Sequence, residues 1–470
     1  MSEQIDLNDI LYKFIYIGIV ILVLMVIIKL LLIKFKNGSF IDNDKINRSI
    51  KGSKLCLSDK PIGFIFGYLR RKKVYLPNTS EGHITVFGGS GKGKTSALLI
   101  PSLKAWDSPF FSIDISGDIS KNVHIERNKK IVLEPENPND SAIYNVFYFI
   151  DKAHTEDEKR QKLEQLVNII IEIPEKANDA QLYFAETARK IFLSGLLAFY
   201  DIGLDFTEIC KTIFFNTVPD LADLIFETKN ELAIGYISSL TSENEKNIAG
   251  AKSTLNGKIK LFADNLSMEK ILRREFKGEY SFNPSDLESK CVFLKVSDKK
   301  QEYYNPFIHI VVAQVLEYIS AREYNPKTDK RILLAIDEFA SIGYLNVLSP
   351  FRKFRKNGAN ICILTQSLAD IDLVYSEKER QVILDNSQYV AILGAVDNKT
   401  REYFSNLIGK EAVIKKSKSS GKGGESTSTS KQREFAIEPE EWKDLGDKII
   451  VIHPSGFVKL KKNFYFKNKG

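Results

Sequence analysis

The chain has 470 residues, of which 43% are hydrophobic, 11% aromatic and 27% charged, so it can bury a large core. This composition excludes a disordered, collagen-like or low-complexity protein, and it is too polar for a protein that crosses a membrane many times. The formal net charge of +7 by itself indicates neither strong nucleic-acid binding nor its absence. The cysteines and histidines show no metal-ligand or redox spacing, so a catalytic metal held only by side chains is not expected.

The first predicted element is a transmembrane helix over residues 14–33. Most of it is uncharged, with Lys29 near one end, and about 20 apolar residues are enough to cross a bilayer. A cleavable signal peptide is the alternative, but residues 1–13 are net acidic and no small-residue cleavage site follows. Residues 29–54 carry seven Lys or Arg side chains against two Asp, which predicts a single-pass protein of the cell (inner) membrane with its bulk in the cytoplasm. Residues 1–13 would then be a short extracytoplasmic tail and residues 34–75 a basic juxtamembrane segment.

The first cytoplasmic motif is a glycine-rich loop between a predicted strand and a predicted helix. Residues 84–87 are a β-branched run typical of a buried strand, and the sequence from Lys94 onward has helical composition. The residues between them satisfy the GxxxxGK[ST] pattern, in which backbone N–H groups wrap phosphates, the lysine faces the β- and γ-phosphates and the Thr95 hydroxyl ligates Mg²⁺. We predict that ATP with Mg²⁺ binds to a continuous run of residues: Gly88, Gly89, Ser90, Gly91, Lys92, Gly93, Lys94, Thr95 and Ser96.

The middle of the chain is predicted to be helical. Thr155 and Glu158 form a capping-box pattern ahead of apolar residues at helical spacing. Continuous apolar strands return at residues 291–296, 389–393, 448–452 and 457–460. Strands of this kind that alternate with helices predict an α/β fold with a mainly parallel sheet covered on both faces. The predicted domains are a nucleotide-binding domain in two parts, residues 76–174 and 276–470, and an inserted all-α domain, residues 175–275.

Two more strands are predicted to end at the nucleotide. Residues 332–336 form an apolar run that ends in Asp337 and Glu338, at the carboxyl end of a strand, where parallel sheets bind ligands. Asp337 would hold Mg²⁺, and Glu338 would orient and deprotonate the attacking water. Gln366 follows the next strand, residues 360–365, and is either a sensor of the γ-phosphate or a surface turn residue.

Two basic segments each allow two interpretations. Arg355 is either a finger that reaches the nucleotide of a neighbouring subunit or part of a solvated basic face, and its spacing leaves both open. Residues 415–433 are rich in Ser, Gly and Lys, and we predict a flexible loop within the ATPase domain. This loop either lines the pore of an oligomer and contacts phosphates or is a solvated linker.

Basic side chains are concentrated in segments whose charges sum to +19, namely residues 29–54, 70–73, 415–433 and 459–470. The rest of the chain is therefore net −12. This distribution suits contact with a bilayer and with a polyanion better than the total charge does.

Five segments together carry a resemblance to a known family: GGSGKGKTSALLIPSL at 88–103, DISGDI at 114–119, YFAETARKIFLSGLL at 183–197, LLAIDEFASIG at 333–343 and ILTQSLADI at 363–371. In this order they resemble the type IV secretion coupling proteins, the membrane-anchored hexameric ATPases that hand DNA or protein substrates to a conjugation channel. Two departures are a Ser at position 116, where the family usually has Lys, and one membrane segment where many members have two.

The resemblance implies a RecA-like form of the P-loop fold. By position, it implies that Lys94 and Thr95 bind nucleotide with Mg²⁺ and that Asp337 and Glu338 form the hydrolytic pair. Gln366 resembles the family's γ-phosphate-sensing glutamine, and Arg355 the arginine that reaches across a subunit interface. The inserted helical domain would select a relaxase or another secretion substrate.

The resulting hypothesis is a membrane-anchored, homohexameric ATPase that couples ATP hydrolysis to translocation of DNA or DNA–protein substrates into a type IV secretion channel. Its expected partners are DNA, single-stranded and bound without sequence preference, the secretion substrate, channel components and the membrane. The alternatives are a septal-type DNA translocase, which usually has several membrane segments, and a coupling ATPase for protein-only secretion. A scaffold that binds nucleotide without hydrolysing it is disfavoured by Glu338 and Gln366.

Overall fold

The computed structural model describes Met25 and residues 50–173, 177–241, 244–421 and 424–467. The chain separates into two compact units, residues 1–51 and 52–470, and the fold is that of the second unit. Apart from Met25, the predicted extracytoplasmic tail and transmembrane helix lie outside the described residues. Within these described ranges, no helix combines the length and the apolar character needed to cross a membrane.

The strands of the second unit are numbered in chain order. They are β1 (Cys56–Ser58), β2 (Gly63–Leu69), β3 (Lys72–Pro77), β4 (Ile84–Phe87), β5 (Phe110–Asp114), β6 (Lys130–Leu133), β7 (Ile143–Tyr144), β8 (Ser281–Phe282), β9 (Cys291–Lys295), β10 (Ile332–Ile336), β11 (Ala359–Thr365), β12 (Tyr389–Ile392), β13 (Lys410–Gly421), β14 (Gly424–Phe435), β15 (Lys448–His453) and β16 (Gly456–Lys461).

The α-helices are numbered in the same way. They are α1 (Ile100–Ala105), α2 (Asp118–Asn122), α3 (Tyr148–Asp151), α4 (Glu156–Ile170), α5 (Asp179–Asp201), α6 (Phe206–Phe215), α7 (Val218–Glu227), α8 (Glu231–Thr241), α9 (Glu245–Asp264), α10 (Leu266–Ile271), α11 (Gln301–Ala321), α12 (Leu348–Lys353), α13 (Leu368–Asp372), α14 (Glu377–Asn386) and α15 (Asn398–Ile408).

One half of a twelve-stranded sheet is parallel, with the strand order β6-β9-β5-β10-β11-β4-β12. Every residue of β4, β5, β10 and β11 is buried, because both faces of this half are covered. Since these neighbouring strands run in the same direction, their carboxyl ends lie at one edge of the sheet. The predicted α/β class and the predicted core strands are therefore found.

The other half corrects the prediction of a mainly parallel sheet, because the sheet is mixed. From β12 it continues with antiparallel pairs in the order β15-β16-β2-β3-β1. In β16 the buried Val458 and Leu460 alternate with the exposed Lys459 and Lys461, as in antiparallel sheets with one solvated face. Strands β1 and β2 lie within residues 34–75 and β3 crosses the end of this range, so the sheet begins before the boundary predicted at residue 76.

The helical region forms between two short strands. β7 and β8 pair in parallel, and helices α3 to α10 occupy the chain between them. The run of helices starts before the boundary predicted at residue 175, because α4 begins at Glu156. The Thr155 hydroxyl accepts the N–H of Glu158 at 3.1 Å, and the Glu158 carboxylate accepts the N–H of His154 at 2.9 Å. The Thr155 bond satisfies an N–H group of the first helical turn, as the sequence pattern predicts, whereas the Glu158 side chain binds the N–H of His154 instead of that of Thr155.

The segment predicted as a flexible loop, residues 415–433, is instead part of a two-stranded antiparallel ribbon. β13 pairs with β14 from Lys410 opposite Phe435 to Gly421 opposite Gly424. Pairing of this kind joins backbone N–H and C=O groups and does not require an apolar face. A composition that cannot build a core can therefore still form this ribbon.

Candidate active site

The candidate site lies where the carboxyl ends of β4, β5, β10 and β11 meet. The glycine-rich loop follows β4, Asp337 and Glu338 follow β10, and Gln366 follows β11. The N–H of Gly88 donates to the carbonyl of Thr365 at 3.1 Å, which joins the start of the loop to the end of the neighbouring strand. The fold thus brings together residues that are up to 278 positions apart in the sequence.

The loop is shaped by glycines in the left-handed region of backbone conformation. Gly91 has φ 71° and Gly93 has φ 98°, values that side chains other than glycine rarely adopt. A helical turn, Lys94–Leu99, follows at once and leads into α1. Backbone N–H groups at such a helix start form a natural anion site.

Lys94 and Glu338 face each other beside this loop. The Lys94 side chain is only 5% exposed, and its Nζ donates to the Gly88 carbonyl at 2.9 Å. The same Nζ lies 3.5 Å from Oε1 of Glu338, whose side chain is 33% exposed. Glu338 has φ 49°, a left-handed conformation that costs a side-chain-bearing residue about 1–3 kcal/mol. The fold therefore holds this carboxylate beside the loop at the expense of local strain.

Thr95 and Asp337 form a second contact at the same edge. The Thr95 hydroxyl lies 3.0 Å and 3.2 Å from the two carboxylate oxygens of Asp337 and donates to them. Burial and, after it, the nearby Glu338 raise the pKa of Asp337 to about 7, although the Thr95 hydrogen bond opposes both effects. A hydroxyl and a buried carboxylate are hard oxygen ligands, so these two residues fit Mg²⁺, which proteins usually bind through one or two carboxylates together with phosphates.

Gln366 is exposed at the end of β11, beside the strand that carries the glycine-rich loop. Its backbone N–H donates to Asp370 Oδ2 at 3.1 Å, and the Thr365 hydroxyl donates to the same oxygen at 2.7 Å. The turn after β11 is thus fixed by Asp370, while the Gln366 side chain lies at the edge where it was predicted. Its role as a γ-phosphate sensor stays a prediction.

Arg355 is the predicted site residue that the fold places elsewhere. It precedes β11, so it lies at the amino end of that strand, whereas the glycine-rich loop lies at the carboxyl edge. Arg331 donates to the Arg355 carbonyl at 3.0 Å. Burial and, after it, the charges of Arg355 and Arg331 together lower the pKa of His83 to about 3. The neighbours of Arg355 in its own chain are therefore at the edge opposite the nucleotide loop.

Besides Ile100 of α1, three residues beside the loop are missing from the predicted site. A cavity of about 340 Å³ lined by the loop and Glu338 also includes Asp118, Tyr465 and Phe466. Asp118 begins α2 within the DISGDI segment, after the exposed Ser116 that replaces the family's usual lysine. Tyr465 and Phe466 belong to the basic C-terminal segment, residues 459–470. A run of three aromatic residues at 464–466 stands out there, but nothing in the local sequence connects it to the glycine-rich loop.

Comparison with known proteins gives one consistent family. Residues 35–470 match the family described as "Type IV secretory system Conjugative DNA transfer". Protein VirD4 of Rhizobium rhizogenes is 23% identical over 416 residues, which cover 84% of this chain and 60% of that protein. Conjugal transfer protein TraG of Rhizobium radiobacter is 24% identical over 393 residues, which cover 79% of this chain and 60% of that protein. The chain thus spans about 60% of the length of these relatives.

The fold is also similar to solved structures. The bacterial conjugative coupling protein TrwBdeltaN70 superposes with a TM-score of 0.64 at 21% identity, covering 81% of this chain and 85% of that one. The plasmid coupling protein TrwB in complex with ADP and Mg²⁺ gives a TM-score of 0.63 at 21% identity, with the same coverage of each chain. At this identity the similarity establishes a shared α/β P-loop fold.

Proposed function

The chain belongs to the type IV secretory system family for conjugative DNA transfer, as its sequence motifs predict, and from this membership we propose that it is a coupling ATPase. It would couple ATP hydrolysis to recruitment and translocation of DNA or DNA–protein substrates into a type IV secretion channel. The observation that carries the proposal is the convergence of Lys94, Thr95, Asp337 and Glu338 at one sheet edge.

In this proposal each residue of the edge has one task. Backbone N–H groups of the loop and the charge of Lys94 bind the β- and γ-phosphates of ATP. Thr95 and Asp337 hold Mg²⁺, which when bound neutralises negative charge on the phosphates. Glu338 orients the attacking water and accepts its proton, and Lys94, 3.5 Å away, keeps this carboxylate beside the phosphates. Gln366 senses the γ-phosphate from the end of β11.

The position of Arg355 supports a head-to-tail homohexamer. Because it lies at the edge opposite the loop, it can act on a nucleotide only if that nucleotide belongs to a neighbouring subunit. A heterologous interface that closes into a ring would place one subunit's Arg355 at the next subunit's site.

The remaining features are proposed from the family and the sequence. The transmembrane helix over residues 14–33 anchors the protein in the inner membrane, with the ATPase domain in the cytoplasm. The helical region selects a relaxase or another secretion substrate. The basic β13–β14 ribbon contacts single-stranded DNA through its phosphates, so binding should weaken as salt rises.

ATP turnover by the purified full-length chain tests the proposal. Glu338→Gln should retain ATP binding and lose about 10²–10⁴-fold in turnover, because the amide cannot accept the proton. Glu323→Gln is the matched control, since Glu323 is exposed ahead of β10 and away from the carboxyl edge. Equal turnover in Glu338→Gln and wild type would refute the assigned chemistry.

Addition of DNA across a range of salt concentrations separates the proposed function from its alternative. Saturable, salt-sensitive stimulation by single-stranded DNA is expected for DNA transport. Turnover that DNA does not change would instead favour the coupling ATPase for protein-only secretion.

A further inference from the structure

The chain returns to the glycine-rich loop after its last strand. The N–H of Tyr465 donates to the carbonyl of Ser96 at 3.1 Å. The ring of Phe464 covers Gly93 so closely that a Cβ atom on this glycine would lie 3.0 Å from Phe464 Cε1. Residues 464–466 therefore contact the loop segment through a backbone hydrogen bond and through packing of the Phe464 ring.

The aromatic side chains of this segment are ordered relative to one another. The ring centroids of Phe464 and Phe466 are 5.3 Å apart with an interplanar angle of 35°, within the range of favourable aromatic pairs. The Lys104 ammonium lies 5.2 Å from the centroid of the Tyr465 ring, a cation–π distance. Phe466 is nevertheless 52% exposed, and with Tyr465 it lines the nucleotide cavity.

The cavity thus has two chemically different walls. Loop N–H groups, Lys94, Thr95 and Glu338 form a polar wall that suits phosphates and a cation. Phosphates gain nothing from an aromatic surface, whereas a purine or pyrimidine base stacks on one through its π face. A nucleoside triphosphate carries both parts at the two ends of one molecule.

We propose that Phe466, beside Tyr465, stacks on the base of the nucleotide whose phosphates occupy the glycine-rich loop. This inference rests on the proposed ATP site and assigns it a base-binding wall. The wall makes the site prefer a nucleoside triphosphate to inorganic triphosphate. Because every base has a π face, the wall discriminates the presence of a base more strongly than its identity.

Calorimetric titration of the full-length chain with ATP and with inorganic tripolyphosphate, each with Mg²⁺, tests the wall. Phe466→Ala should raise the Kd for ATP about fivefold to a hundredfold, the range of base–aromatic stacking, and leave the Kd for tripolyphosphate unchanged. Phe466→Trp should restore ATP affinity. Phe215→Ala is the matched control, because Phe215 is 69% exposed at the end of α6 and should affect neither ligand.

The results separate this inference from the function beneath it. If wild type binds both ligands and Phe466→Ala weakens them equally, the segment only shapes the phosphate loop and the base-binding wall is refuted. An unchanged ATP affinity in Phe466→Ala refutes it as well. If wild type binds neither ATP nor tripolyphosphate, the proposed ATP site is wrong and the inference falls with it.

Discussion

Removal of the Arg355 side chain should abolish ATP turnover without affecting ATP binding. The reason is the length of β11, Ala359–Thr365, which separates Arg355 from the carboxyl edge. Seven residues at about 3.3 Å each span roughly 20 Å, much farther than an extended arginine side chain reaches. Arg355→Ala should therefore leave the Kd for ATP of its own subunit unchanged. Its kcat should fall by about 10³–10⁵, the range measured for arginine fingers.

Mixing two inactive variants distinguishes action across a subunit interface from action within one chain. Equal amounts of Arg355→Ala and Glu338→Gln subunits are allowed to exchange before ATP turnover is measured. Half of the sites then have an intact Glu338, and half of those face a neighbour with an intact Arg355. For independent sites in a head-to-tail ring, turnover should recover to about one quarter of the wild-type rate per site.

The refuting result is turnover no higher than the mean of the two variants measured separately. It would show that Arg355 acts within its own chain or does not act in hydrolysis. Lys356→Ala is the matched control, because Lys356 is an exposed basic residue next to Arg355. If this variant also lost turnover, the summed positive charge of residues 352–356 would be responsible, and not the position of Arg355.

Three further variants test the stability of the fold and the geometry of the glycine-rich loop. The pKa of His83 is lowered to about 3 in the folded protein, so between pH 6.5 and pH 3 the unfolded chain binds a proton at His83 and the folded chain does not. The free energy of unfolding should therefore decrease by up to about 4–5 kcal/mol as the pH is lowered through this range. Urea titrations should show a smaller fall for His83→Asn, and equal falls would contradict the assignment. Gly67→Ala should lower the free energy of unfolding by about 1–3 kcal/mol in the same titrations, because Gly67 has φ 150° and a Cβ there would lie 2.6 Å from the Lys461 carbonyl oxygen. An unchanged urea midpoint would mean that β2 does not pair with β16. Gly93→Ala, at φ 98° and against Phe464, should weaken ATP and tripolyphosphate binding alike in calorimetry, and a loss confined to ATP would contradict this reasoning.

The parallel half of the sheet and its motifs were predictable because burial on both faces leaves a clear sequence signal. Residues 332–336 are an uninterrupted apolar run and residues 84–87 are a β-branched run with Thr85 as its one polar residue, and the structure forms β10 and β4 over these residues. Each run ends directly at a residue type with defined phosphate or metal chemistry. The two strands, the motifs that follow them and their position at the carboxyl edge of the sheet could therefore be inferred together from local sequence.

In the antiparallel half, β15 and β16 form where strands were predicted, at residues 448–452 and 457–460, but β1 to β3 were missed because charge obscured their pattern. Residues 63–77 form a hairpin whose turn carries Arg70 at φ 57°, but the basic run 70–73 suggested a juxtamembrane segment. Only the pairing of β2 with β16 and β3 shows that these charges belong to a turn and to the start of a strand. Composition was equally uninformative for the β13–β14 ribbon, whose stabilising contacts are between backbone groups.

Asp118, Tyr465 and Phe466 show a different limit of sequence analysis, since no local pattern connects them to the loop. They reach the cavity only because just two strands, β11 and β10, separate β5 from β4 and because the chain turns back after β16. Long-range placement of this kind depends on the whole topology. A single sequence contains no period or spacing that encodes it.

The two edges of the parallel sheet divide the proposed chemistry between subunits. Lys94, Thr95, Asp337 and Glu338 lie at the carboxyl edge and supply what one chain needs to bind ATP with Mg²⁺. Arg355 lies at the other edge, beyond reach of its own nucleotide. An isolated subunit should therefore bind ATP but hydrolyse it poorly, and turnover should rise with protein concentration as subunits assemble. This dependence follows from strand direction alone, because a residue before a parallel strand and one after it cannot serve the same site in the same chain.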